Sequence, residues 1–133
     1  MKIKKEIINA IITHAKREQP VEACGYLAGK EGMVVYHYEM TNTDKSNEHF
    51  SFDPKEQFAA LREVRARGLE LYAVYHSHPH TPARPSEEDM QLAYDPHMRH
   101  VIVSLADGHE EVKCFKVAGS TMTHENMEVV SDE

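Results

Sequence analysis

Cysteine is scarce in this chain. Only Cys24 and Cys114 occur among 133 residues, far apart and neither with a CxxC companion. That excludes a disulfide-stapled scaffold and reads as two buried thiols in a reducing cytosol. Long apolar runs are missing too, and no stretch approaches the roughly eighteen residues of a membrane span. The start, MKIKKEIINAIITHAKRE, is basic and then apolar like a signal peptide. However, Asn9 interrupts the run, His14 and Lys16 follow at once, and no small-residue cleavage site appears. A cytoplasmic location is therefore expected. Positive charge is in deficit: 15 Lys and Arg face 22 Asp and Glu, a net charge of -7. Wrapping nucleic acid or docking on anionic lipid would work against that field, so neither partner is expected. With no repeat, low-complexity tract or linker, a single domain over residues 1–133 is expected. Residues 118–133 form a weakly patterned tail with room for one edge strand.

What is present is an alternation of helix and strand patterns. Ile3, Ile7, Ile8, Ile11, Ile12 and Ala15 recur at helical spacing opposite Lys4, Lys5, Lys16 and Arg17, and Pro20 ends the run. Ala23 to Ala28 and Met33 to Met40 read as a β-hairpin around Gly29 to Gly32. The polar stretch TNTDKSNEH, Thr41 to His49, is a surface loop, and Phe50 to Phe52 a brief strand. A second helix starts with Asp53 as N-cap, Pro54 as first residue and Glu56 as capping-box partner; its apolar face is Phe58, Leu61 and Val64. Leu71 to Tyr75 reads as a strand covered on both faces. Ser86 to Tyr94 can form a short helix, Val101 to Leu105 another buried strand, and Val112 to Val117 its return after an Asp107-Gly108 turn. The expected class is α/β (α+β), a mixed sheet with helices against it.

The chemistry concentrates in YHSHPHTPARPSEED, Tyr75 to Asp89. A strand has a side-chain period of two, so His76 and His78 point to one side and Ser77 to the other. Pro79 ends the strand beside a sheet edge, and the loop lets Asp89, in the first turn of the next helix, return toward the imidazoles. Two histidines and a carboxylate give three ligands, which leaves a fourth position of a hydrolytic zinc site open for water. Taken alone, HxH in a chain with ten histidines is a weak motif, and Ser86 with Asp89 also fits a purely structural capping box. Glu22, a carboxylate at the mouth of an apolar strand, fits an exposed strand start equally well.

The stretch resembles the JAMM signature of the JAB/MPN (Mov34/MPN/PAD-1) metallopeptidases. His76-Ser77-His78-Pro79 is followed by six residues, then Ser86, two residues and Asp89, with every signature position filled. Pro20-Val21-Glu22-Ala23-Cys24-Gly25 is similar to the family's P-x-E-x-C-G strand start. The resemblance runs from the first helix to about Val117, and it implies a curved mixed sheet with cytidine-deaminase-like architecture. It implies one zinc per chain on His76, His78 and Asp89, with Glu22 shuttling a proton from water to the leaving amine. Ser86 is implied as hydrogen-bond donor to the oxyanion. The implied activity is hydrolysis of an amide, after the C-terminal glycine of a ubiquitin-like or sulfur-carrier protein. The alternative is a non-catalytic MPN scaffold module, a class that typically loses these ligands. A zinc deaminase would need a PCxxC pair that is absent. Cys24 is read as core packing, with a regulatory ligand role as the minor option. His80 and Arg84 are read as exposed loop residues.

Overall fold

The hairpin expected near the N-terminus is the middle of the sheet. The computed structural model describes residues 1–91 and 95–131. Strand β2 (Cys24–Lys30) runs antiparallel to β3 (Met33–Met40), closed by Glu31 and Gly32 at positive φ, as a tight two-residue hairpin turn demands. On its other side β2 pairs antiparallel with β4 (Glu70–His78), and β4 pairs parallel with β5 (Arg99–Ser104). β6 (Glu111–Ala118) returns antiparallel to β5, and β7 (Thr121–Glu125) antiparallel to β6. A short β1 (Lys2–Lys4) runs parallel to β3, and β8 (Glu128–Val130) parallel to β1. The order across the mixed sheet is β7-β6-β5-β4-β2-β3-β1-β8.

Only Asn126 and Met127 separate β7 from β8, yet these strands occupy opposite edges of the sheet. Two residues span little distance, so the sheet curls until its edges approach one another. Helix α1 (Lys5–Glu18) lies against the face carrying Leu27, Ala73, Tyr75, Val101 and Val103 and buries Ile7, Ile11 and Ala15 there. Helix α2 (Pro54–Ala66) covers the other face, where Cys24, Tyr26, Met40 and Ala60 form a second core. The two faces of β4 therefore look into different cores.

Several sequence expectations are revised. Ile3 is a strand residue, because Lys2–Lys4 bridges β3 and β8. The buried stripe of α2 is Ala60 and Val64, while Phe58 is 65% exposed. Glu56 closes no capping box; its carboxylate instead accepts from the Thr41 N–H and hydroxyl, at 2.7 and 2.9 Å. Phe50 to Phe52 contributes only an isolated bridge, Asn42 to Phe52. Asp107 and Gly108 take positive φ as expected, but inside a longer connection with a 3-10 turn at Ala106–Gly108. The tail supplies two strands rather than one. The helix expected over Ser86 to Tyr94 is seen as α3 (Glu87–Gln91); residues 92–94 lie outside the described residues, as do 132–133 at the end of the tail.

Candidate metal centre

β4 carries the first two residues of the site. His76 pairs with Cys24 on β2 and Ile102 on β5, and His78 with Ser104 on β5. Neighbours on both sides fix this backbone, so the imidazoles stand on a central strand. The edge beside them is not that of an outer strand: β4 is internal, held on both sides through Ser77, and His78 keeps its β5 partner. The chain after Pro79 is pinned back onto β5. Ser104 Oγ donates to the Thr81 carbonyl at 2.6 Å, and Ala83, 1% exposed, packs on Ile102 and Phe115. That anchorage returns α3 toward β4. At its start Ser86 and Asp89 bond reciprocally: the Ser86 N–H donates to Asp89 Oδ2 at 2.9 Å, and the Asp89 N–H to Ser86 Oγ at 3.0 Å. This is the capping box, and the same Oδ2 faces both histidines.

The three donor atoms converge. His76 Nε2 and His78 Nε2 lie 3.1 Å apart, and Asp89 Oδ2 lies 3.2 and 3.1 Å from them. Among the described residues, these three side chains form the group of His, Cys, Asp and Glu spaced to hold a metal ion. Tetrahedral coordination at bond lengths of about 2.0–2.1 Å places ligand atoms about 3.3 Å apart, so the spacing fits such an ion. Hydrogen bonds alone do not satisfy the triangle. His78 Nδ1 donates to the Pro82 carbonyl at 2.9 Å, which leaves Nε2 of the neutral ring with a lone pair facing a carboxylate and a second imidazole. A cation at the centre would resolve that opposition, and the Pro82 carbonyl holds the tautomer it would need.

The electrostatics agree with the geometry. Burial disfavours ionised Asp89, yet its contacts with His76, His78 and the Ser86 N–H outweigh it and hold the carboxyl well below the usual carboxylate range. Burial also opposes charge on His78, but the Asp89 and Pro82 contacts raise its pKa. Glu22, 2% exposed, behaves oppositely: burial pushes its carboxyl up to about 7, against the pull of His76 and His78. Among the described residues, its Oε1 has no hydrogen-bond partner, and neither has His76 Nδ1. Buried polar atoms are normally paired, so two unpaired ones beside a ligand triangle mark a place for a further group.

The walls include residues that the sequence pattern did not single out. Phe50 stacks on His76 with ring centroids 4.9 Å apart. A cavity of about 350 Å³ opens beside His76 and Asp89, lined in part by Tyr26, Phe52, Gln57, Met98 and His100. Asn42, 5% exposed, ties the segment 42–52 together, so this loop is built rather than loose. Cys24 stays in the core: burial pushes its thiol up to about 12, and it takes no place in the donor set. His80 and Arg84 are exposed, as expected.

Comparison with known proteins places this geometry. Residues 4–117 match the family described as prokaryotic homologs of the JAB domain. A CysO-cysteine peptidase of Mycobacterium tuberculosis is 36% identical over 131 residues, covering 96% of this chain and 90% of that protein. A desampylase of Pyrococcus furiosus is 38% identical over 71 residues, 53% of this chain and 51% of that protein. The solution structure of a Desulfitobacterium hafniense protein superposes with a TM-score of 0.86 at 37% identity, covering 99% of this chain and 92% of that one. The chain belongs to the prokaryotic JAB-domain family.

Proposed function

We propose that this JAMM-type hydrolase uses one zinc ion, held by His76, His78 and Asp89, to hydrolyse the amide bond after the C-terminal glycine of a ubiquitin-like or sulfur-carrier protein. The observation that carries the reading is the triangle of donor atoms at 3.1–3.2 Å beside a buried carboxylate with an oxygen unpaired among the described residues. Zinc on such donors acidifies water to near neutrality and polarises a carbonyl. Glu22, buried beside the three donor residues, is placed to take the proton of the attacking water and return it to the leaving nitrogen. Ser86 Oγ accepts the Asp89 N–H, which leaves its own O–H to donate to the oxygen that gains charge in the tetrahedral intermediate. Phe50, stacked on His76, shields the ligand ring from water.

The substrate class is supported by the names of the relatives, a CysO-cysteine peptidase and a desampylase. Glycine next to the scissile bond has no Cβ to clash in a confined site. Because β4 is central, segment 41–52 replaces a sheet edge as the wall along which an extended tail lies. Docking of the folded body supplies binding energy that a free peptide lacks. Two buried free thiols agree with a cytoplasmic location.

The test is cleavage of a carrier protein extended at its terminal glycine, beside the free peptide of the same tail, read by mass spectrometry. The expected result is a cut immediately after the glycine, with little reaction on the peptide; equal cleavage of both leaves a general peptidase. Elemental analysis should find about one zinc per chain in the parent and a large loss in His78→Ala. Retention of zinc by that variant would put the site elsewhere.

A further inference from the structure

Glu22 lies just outside the sheet. β2 begins at Cys24, and the last ties to β4 are those of Ala23, whose N–H donates to Ser77 Oγ at 2.7 Å and whose carbonyl accepts from the Ser77 N–H at 2.9 Å. The backbone of Glu22 is held instead from the segment after β3. Its N–H donates to the Ser46 carbonyl at 2.8 Å, and its carbonyl accepts from Asn42 Nδ2 at 3.1 Å. The Asn42 amide also donates to the His49 carbonyl at 3.0 Å and, more weakly, to Ser46 at 3.4 Å. Its Oδ1 accepts from the N–H groups of Asp44 and Ser51, at 3.0 and 3.3 Å.

This pattern fixes the amide's orientation, because a flipped side chain would set NH₂ against two N–H donors. It also dictates the residue type. Aspartate would place a carboxylate against three carbonyl oxygens, and serine reaches fewer partners. The clamped segment carries Phe50 onto His76, and it carries His49, held by Asp44 at 2.9 Å, toward Glu22.

We propose that Asn42 is the positioning residue of the general base, its buried amide locking the Glu22 backbone and segment 42–52 into one unit that faces the ligand triangle. The proposal rests on Glu22 being that base. Asn42 acts through Glu22 and touches neither the metal ligands nor the reacting atoms. Its loss should therefore lower turnover without emptying the metal site.

The experiment is a double-mutant cycle on a carrier protein extended by one C-terminal residue, with kcat, KM and zinc content measured for each protein. Asn42→Asp, which conserves volume, should lower kcat roughly 10²-fold, the cost of misplacing a catalytic group by about 1 Å. Zinc content should stay at the parent value. In a Glu22→Gln background the same substitution should change the residual rate by no more than about twofold, because the group it positions is already gone. Equal losses in both backgrounds would make Asn42 a merely structural residue and overturn the proposal, as would a parental kcat in Asn42→Asp. If Asn42→Asp does not fold, Asn42→Ser is held to the same comparison. A Glu22→Gln variant with parental activity would instead remove Glu22 as the base, a different failure that the single variant exposes.

Discussion

Buried histidines lie against both faces of strand β4, His14 of α1 on one and the strand's own His76 and His78 on the other, and the two sides differ in how their polar atoms are satisfied. On the α1 side, His14, 2% exposed, meets Tyr75 with Nδ1 2.8 Å from the phenol oxygen and the rings edge to face. Tyr75 in turn lies so close over Gly25 that a Cβ there would sit 2.5 Å from its ring, so this position of β2 is restricted to glycine. Beside it, Ser77 exchanges hydrogen bonds with Ala23. On the opposite side, His76 and His78 crowd a shared carboxylate, and His76 Nδ1 and Glu22 Oε1 have no partner among the described residues. A buried polar group left unpaired costs about 1–3 kcal/mol. The α1 face avoids that cost and is structural. The other face bears it around the three donor atoms that could hold a metal ion, which is where such a cost is expected.

The largest effect that could break this contrast is on rate. Glu22→Gln keeps the shape of the site and leaves His76, His78 and Asp89 in place but removes the carboxylate proposed to carry the proton. It should hold zinc at the parent level while lowering turnover about 10²–10⁴-fold, measured on the carrier fusion. Near-parental turnover would mean that the unpaired carboxylate is idle, and the contrast between faces would lose its functional meaning.

Ser86 gives a smaller effect, because two roles meet in one hydroxyl. Oγ accepts the Asp89 N–H as a helix cap, and losing that acceptor in Ser86→Ala should cost about 1 kcal/mol of stability. Loss of an oxyanion donor should in addition lower kcat roughly 10²–10³-fold. Melting temperature and kcat on the same protein separate the two. A stability loss with an intact rate would assign Ser86 wholly to the cap.

The site was legible in the sequence to the extent that its geometry is local. His76 and His78 share a face because strands have period two, and Asp89 returns because Pro79 and the loop force a turn. Where contacts are long-range, the pattern misled. Asn42 stands in TNTDKSNEH among turn-forming residues that read as surface, and nothing local shows that its amide is buried against Glu22. Phe58 continues an apolar helical stripe, yet α2 turns Ala60 and Val64 inward, since which stripe is buried depends on the sheet beneath. The run Ile3 to Ala15 is helical in period throughout, but pairing with β3 and β8 claims Ile3 for a strand. The placement of β8 was invisible for the same reason: its partner, β1, lies at the other end of the chain.

The last effect is a gradual one, spread over several pH units, and it separates the two buried groups by sign in metal-free protein. Glu22 faces His76, His78, Asp89 and His49, and burial raises its pKa from an ordinary 4.5 to about 7. The folded state therefore binds this proton more tightly than the unfolded chain does. The stabilisation is complete below 4.5 and is lost as pH rises toward 7, at no more than about 1.4 kcal/mol per pH unit. His14 faces Glu39, Arg17, Glu18 and His37, and burial, the largest influence, lowers its pKa from 6.5. There the unfolded chain binds the proton more tightly. Stability from a neutral His14 is full above 6.5 and is lost as pH falls through the lowered value. Urea unfolding of the apoprotein between pH 4.5 and 7.5 reads both slopes. The difference between the parent and Glu22→Gln should show parental stability falling as pH rises. The difference between the parent and His14→Asn, which keeps an amide at the Nδ1 position, should show it rising. Slopes of the same sign would mean that one of the two groups is held in its charged form, so that burial does not govern its titration.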